Sequence, residues 1–342
     1  MTTSQAKSRT DFLEYSHTIG LSTMEGRGFY YPVDTARGRD GRLYTVSRSL
    51  EGDNRGIRVT MFDLDSEYVG TFGHYGEEDG QLVWPTAVAV DSDDQVFVSD
   101  EYLHRISAFD PDGGFTDNWG VYGAEPGQLN GPASLAFDAE DNLYVSDHQN
   151  DRIQKFTRDG QYISGFGTTG SGQGQFDLPW GVTVAPGGDV YVADWRNDRI
   201  QRFSPDGEFR AAYGSSGRGE GKLHRPASVA VDGDGYIYVA DWGNERLQVL
   251  DPDGGFVTKL RGQATHSEWA RDFLRINVEE AAARANSDLE PDVDFFVDDP
   301  HEESSHIEKL FWAPVSVKLD QDGRVYVTES NRHRIQIYQR VD

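Results

Sequence analysis

A repeat of 47 residues constrains this chain more than any other feature in it. Pro85, Pro132, Pro179 and Pro226 are 47 apart, and so are Asp100, Asp147, Asp194 and Asp241. Gly73, Gly120, Gly167 and Gly214 keep the same step, each behind an aromatic residue in GTFG, DNWG, SGFG and AAYG. Three kinds of landmark in one register over four units leave no room for chance. A period of about 40 to 50 residues points to an array in which each unit buries its apolar face only against its neighbours.

The unit is most distinct in DVYVADWRNDRIQRF, Asp189 to Phe203. Val190 to Val192 is one β-rich run and Ile200 to Phe203 another, with the polar Asp194 to Asp198 between them, which is the pattern of a hairpin. Its relatives are VFVSDEYLHRISAF, LYVSDHQNDRIQKF, IYVADWGNERLQVL and VYVTESNRHRIQIY. A further β run follows each Pro (TAVAVD) and another precedes each aromatic-Gly pair (GFTDNWG). Short Asp/Gly turns such as DSDD, GDG, PDGG and RDG join the first run to the second and the third to the fourth. The unit is therefore a four-stranded antiparallel blade with strands A to D, and the fold class is all-β: a propeller.

Departures from the register fix the blade count. Pro32 precedes Pro85 by 53 residues, the six extra falling in SRSLEGDNRG between strands B and C, and Pro314 follows Pro226 by 88, one unit plus 41. Blades begin near residues 32, 85, 132, 179, 226 and 314, which makes six in one domain spanning 1–342. The last lacks a strand D, and LEYSHTIG (13–20) is positioned to supply it, closing the ring and hiding the exposed edges. The insertion, 263–309, has different chemistry. SEWARDFLRINVEEAAARAN has apolar positions at helical spacing and predicts one helix of about four turns. An irregular acidic segment follows it, and the whole is expected to form a lid between blades 5 and 6.

Composition bounds the partners. With 58 Asp and Glu against 32 Lys and Arg, the net charge is -26, a field that repels nucleic-acid phosphates and anionic membranes. There is no Cys, hence no disulfide, thiolate nucleophile or Cys-ligated metal. No signal-peptide core and no apolar run of membrane-spanning length is present, so a cytoplasmic location is expected. Oligomeric state is not legible.

Successive antiparallel strands send the D–A and B–C connections to one face and the A–B and C–D turns to the other. The second face has only short turns. The first has the long loops, the insertion and an unusual residue set: Trp84, His224, Arg225 and Trp312 near the Pro positions, and Tyr102, His148, Trp195, Arg196 and Trp242 in the B–C turns. Residues recurring in every blade serve every blade, so Asp100, Asp147, Asp194 and Asp241 are read as turn caps, and the Arg after each (Arg105, Arg152, Arg199, Arg246) as its partner. Function is sought where the repeat is broken. Several Trp converging on one face make an apolar pocket with a few polar anchors: Trp180 its floor, Trp84, Trp195, Trp242 and Trp312 its wall, and His148, His224, Arg196 and Arg225 its polar contacts. Metal signals are faint. The Asp-rich turns at 91–94 and 232–235 lack the closing Glu of a calcium loop. His301 and His306, with Glu302, Glu303 and Asp298, read as a solvated loop rather than a metal site.

The units led by Pro-x-x-[VL]-[AT]-[VF] and ending in YVSD and DRIQKF resemble NHL repeats over residues 20 to 342 apart from the insertion. That resemblance implies a propeller, but its members include RNA and protein binders, kinase sensor domains and zinc-dependent peptidyl-α-hydroxyglycine α-amidating lyases. In those lyases a zinc-ligating His follows the blade-leading Pro, and related lactonases place Asn or Asp there. Here the positions hold Val33, Thr86, Ala133, Trp180, Ala227 and Val315, so the ligand set is missing. The leading expectation is a propeller that binds a small, partly apolar molecule or peptide on the loop-rich face, without a cofactor. The alternative is a lyase or hydrolase with a rearranged site, His148 or His224 acting as base and a zinc or calcium ion left open. A third is a protein-interaction scaffold.

Overall fold

The computed structural model describes residues 12–50, 53–292 and 299–341. Six four-stranded antiparallel sheets form the blades, each in the order A-B-C-D. Their A strands are Pro32–Arg37, Pro85–Val90, Pro132–Phe137, Pro179–Val184, Pro226–Val231 and Pro314–Leu319. Neighbouring A strands contact one another all round, so they line the central channel. B strands such as Val96–Asp100 are buried along their whole length, whereas the D strand Phe115–Trp119 is largely exposed. That gradient explains why the B runs are continuous β-branched and aromatic stretches while the D runs are mixed.

The core is a set of layers between blades. Six apolar clusters occur, one in each blade interface; the one between blades 1 and 2, for example, joins Val46 and Val59 to Val88, Val98 and Phe109. The last interface is closed by the N-terminal strand Leu13–Ile19, which pairs antiparallel with Arg334–Arg340 and completes blade 6. Among the described residues no helix is long and apolar enough to cross a membrane.

The repeated acidic residue is a hub. Asp194 accepts the Asp177 N–H (2.9 Å), the Asn197 amide, the Arg199 Nε–H (2.8 Å) and the Gln201 amide. Arg199 then donates to the carbonyls of Ser171, Gly172 and Gln175. One carboxylate thus ties a B–C turn to the D–A loop entering the same blade, and Asp147 and Asp241 repeat the arrangement.

The insertion differs from its expected form. Instead of one helix there are two, α1 (Glu268–Ile276) and α2 (Val278–Ala285), broken at Asn277, whose φ of -98° and ψ of 75° are not helical. A third helix, α3 (Pro300–His306), stands where an irregular segment was expected; Asp299 caps it and Pro300 begins it. Residues 293–298 of that acidic segment lie outside the described residues. Nor does the insertion act as one piece. Trp269 of α1 is fully buried against Phe29 and Phe62 and donates its indole N–H to the Ser66 carbonyl (2.5 Å), which fastens α1 to the outer edge of blades 6 and 1. α3 sits on the face that bears the D–A and B–C loops, held by Arg261 and Arg332.

Candidate functional site

The residue after each blade's hub position begins the B–C connection: Arg48, Glu101, His148, Trp195, Trp242 and Ser330 in order of blades. These side chains reach across the seams to one another. Arg48 Nη2 lies 3.1 Å from Glu101 Oε2, and Glu101 Oε1 lies 3.3 Å from His148 Nε2. The Trp195 and Trp242 rings are 6.2 Å apart. Half of this arc is polar and charged, over blades 1 to 3; the other half is aromatic, over blades 4 and 5.

The polar half is partly buried, most deeply at His148. The His148 side chain is 5% exposed and its Nδ1 is buried without a hydrogen-bond partner. Trp180, on the channel-lining strand of blade 4, meets the His148 ring edge-on at 5.0 Å. Burial alone would raise the Glu101 carboxyl, but the His148 hydrogen bond and the Arg48 charge outweigh it and hold it below its ordinary range. Burial pulls Arg48 down to about 10 against the attraction of Glu101 and Asp100. Its guanidinium also stacks over Trp84 at 4.1 Å.

α3 packs beside the aromatic half at blade 5. This helix packs against the Trp242–Asn244 turn, and its His301 donates to or accepts from Glu245 at 2.6 Å. Glu245, with a side chain 2% exposed, is pushed up to about 7 by burial, with the His301 and Ala313 hydrogen bonds opposing the shift. The Trp312 indole N–H points to His301 Nε2 (3.3 Å), and Arg332 lies over the Trp312 ring at 5.1 Å.

The ten residues singled out by sequence divide as follows. Trp180 and His148 are in direct contact; Trp195 and Trp242 are adjacent, with Arg225 stacked over Trp195 at 4.8 Å. Trp84 and Trp312 lie at the two ends of the arc, on Arg48 and on α3. Tyr102 is 57% exposed, and Arg196 pairs loosely with Asp177 at 3.7 Å. His224 stands beside Asp198 (3.5 Å) in blades 4 and 5, so it shares no partner with His148. His301 and His306 do not converge either: one faces Glu245, the other Ser305. Among the described residues no group of three His, Asp or Glu is placed to hold a metal ion, and Asp298 lies outside them. Sequence reasoning missed Arg48, Glu101 and Glu245. A column-by-column comparison of blades would have found the first two, since they occupy the column of His148 and Trp195.

A wide cavity lies elsewhere. A volume of about 1190 Å³ follows the channel-lining strands to the A–B turns, on the opposite face, and none of the ten residues lines it.

No curated protein matches the chain. The NHL repeat model matches residues 176–203, 223–250 and 311–338, within blades 4, 5 and 6. Among solved structures, a streptogramin B lyase is 13% identical, with 96% of this chain and 88% of that one covered and a TM-score of 0.56. A catalytically inactive virginiamycin B lyase from Staphylococcus aureus with quinupristin is 12% identical over 95% and 99%, TM-score 0.57. A structural genomics protein of unknown function from Bacteroides thetaiotaomicron is 19% identical over 96% and 76%, TM-score 0.61. At these identities the likeness is one of fold. The repeat model and the six-bladed ring agree: the chain carries NHL repeats in blades 4 to 6 and folds as a six-bladed β-propeller.

Proposed function

We propose that this propeller binds a small, partly apolar molecule or peptide on the loop-rich face, between the polar arc of blades 1 to 3 and the aromatic arc of blades 4 and 5. The observation that carries the reading is the joined arc itself: Arg48, Glu101 and His148 in contact across two seams, with Trp180 against His148. These residues break the repeat where blade-building would be served by repeating it. Partly buried charged groups of both signs beside indoles suit a ligand with an apolar body and one or two hydrogen-bonding groups. The test is a thermal-shift screen of metabolites and short peptides, since a ligand at 100 times its Kd stabilises by about 2.7 kcal/mol. For any hit, Trp180→Ala and Glu101→Gln are each expected to weaken binding at least about tenfold, or 1.4 kcal/mol. Hits that bind both variants as tightly as the parent overturn this placement.

A second reading is favoured by the buried, carboxylate-paired His148: a lyase in which Glu101 orients the imidazole and His148 removes a substrate proton. The lyases among the structural neighbours are compatible with it. Incubation with quinupristin, followed by chromatography, separates the two readings. Turnover that His148→Ala abolishes supports the lyase; binding without turnover leaves the first reading ahead.

A further inference from the structure

The channel cavity on the A–B turn face has its own break in the repeat. Four residues after each blade-leading Pro, the six residues that line it are Ala36, Ala89, Ala136, Thr183, Ala230 and Lys318. Five are small and one is an ammonium. One residue further on, the lining is Arg37, Val90, Phe137, Val184, Val231 and Leu319, apolar except in blade 1. Two residues after the Pro, the column reads Asp34, Ala87, Ser134, Gly181, Ser228 and Ser316. Its one acid is 4% exposed and lies 3.3 Å from the Lys318 ammonium.

Closing the ring does not require this pair. At the seams of blades 3–4 and 5–6 the neutral Ser134 and Ser228 hydroxyls accept the N–H groups of Val182 and Val317. At the seam of blades 1 and 2, Asp34 takes the corresponding Val88 N–H, and it also accepts the neighbouring Thr35 N–H and, across the seam to blade 6, the Ser316 hydroxyl and Lys318. Its charge is thus shared among four donors. Lys318 has three N–H groups and Asp34 as its ion-pair partner, and its side chain is 29% exposed to the cavity. An ammonium held by an anchored carboxylate, in a channel whose strand rows carry Val90, Phe137 and Val184 and whose turn-side mouth carries Asp232, Asp234, Asp320 and Asp322, is a one-point anion contact beside an apolar wall. We propose that the channel is a second binding site, distinct from the loop face, for a monocarboxylic acid with an aryl or branched-alkyl body whose carboxylate rests on Lys318.

Calorimetric titration with 4-phenylbutyrate and with its neutral amide tests this. The parent protein is expected to bind the acid at least about tenfold more tightly than the amide, a difference of 1.4 kcal/mol. Lys318→Met should erase that preference, while Trp180→Ala, on the other face, leaves it intact. Because Lys318→Met strands the Asp34 charge, the double variant Asp34→Ser, Lys318→Met restores the neutral seam of blades 3 and 5 and gives the same loss in a stably folded protein. Equal binding of acid and amide, retention of the preference in the double variant, or no binding up to roughly 10 mM overturns the proposal. Loss through Trp180→Ala rather than Lys318→Met would move the acid to the loop face and overturn it equally.

Discussion

At the scale of the residue, one column of side chains stitches the blades. His104, Asp151, Asp198, Glu245 and His333 each end a B–C turn in the left-handed region, φ 50° to 53°. Each accepts the N–H of the residue before the next blade's Pro: Gly131 (3.1 Å), Leu178 (2.8 Å), Arg225 (2.7 Å), Ala313 (2.6 Å) and Tyr31 (2.9 Å). Two members of the column, His333 and Glu245, depend on pH with opposite signs. Burial, then the Arg332 charge, lowers His333 to about 4. The folded state therefore binds fewer protons there, and the stabilisation is complete above the unfolded pKa of about 6.5 and lost as pH falls toward 4, at most about 3 kcal/mol. Glu245 is raised to about 7. Its contribution is complete below the unfolded pKa of about 4.3 and is lost as pH rises through 7, by a similar order. The two slopes oppose each other in the parent. Denaturant unfolding between pH 4 and 7.5 is expected to show stability rising with pH in Glu245→Gln and falling with pH in His333→Asp, whose carboxylate can take the Tyr31 N–H as Asp151 takes that of Leu178. Parallel curves for the two variants would contradict this assignment.

At the scale of the element, the hub carboxylate fixes a loop as well as a strand. Asp241 is fully buried, and Arg246, 4% exposed, donates to it and to the carbonyls of Arg218, Gly219 and Lys222. Removing the carboxylate strands a buried guanidinium, so Asp241→Ala is expected to cost about 3–5 kcal/mol, and adding Arg246→Met should recover part of the loss. Urea unfolding of the two single variants and the double measures the coupling; additive losses would mean the pair does not act as one. This hub, the Pro that starts each strand A and the Gly that ends each strand D were legible because all three recur in one register. The site was legible only where a residue is conspicuous by itself, as with Trp180 and His148. Glu101 becomes meaningful only beside Arg48 and His148, 53 and 47 residues away in sequence, and such contacts across seams leave no local pattern. The break between α1 and α2 was hidden for another reason. Asn277 interrupts no apolar spacing, and Trp269, which anchors α1 to blade 1, looks in sequence like any residue on the apolar face of a helix.

At the scale of the whole molecule, the ring is held shut by the segment that begins it. The strand Leu13–Ile19 runs beside Arg334–Arg340 from Leu13 opposite Arg340 to Ile19 opposite Ile335. Leu13 enters the core between blades 5 and 6, and Tyr15 packs edge-on against Tyr338 at 5.7 Å while its hydroxyl contacts Thr18 and Thr265. Without this strand, Arg334–Arg340 becomes a free edge bearing Ile335, Ile337 and Tyr338, a template for pairing with another chain. The net charge of -26 acts against that pairing, and salt weakens the repulsion as the Debye length shortens to about 10 Å at 0.1 M. A variant lacking residues 1–20 is therefore expected to melt at lower temperature, to stay monomeric at low ionic strength and to self-associate as salt is raised, measured by light scattering behind size exclusion. A synthetic peptide of residues 12–21, added in trans, should pair with the free edge, restore the melting temperature and suppress the association. If the shortened protein melts with the parent and stays monomeric in salt, the six blades hold the ring through their apolar seams alone, and the pairing of the chain's two ends contributes little to closure.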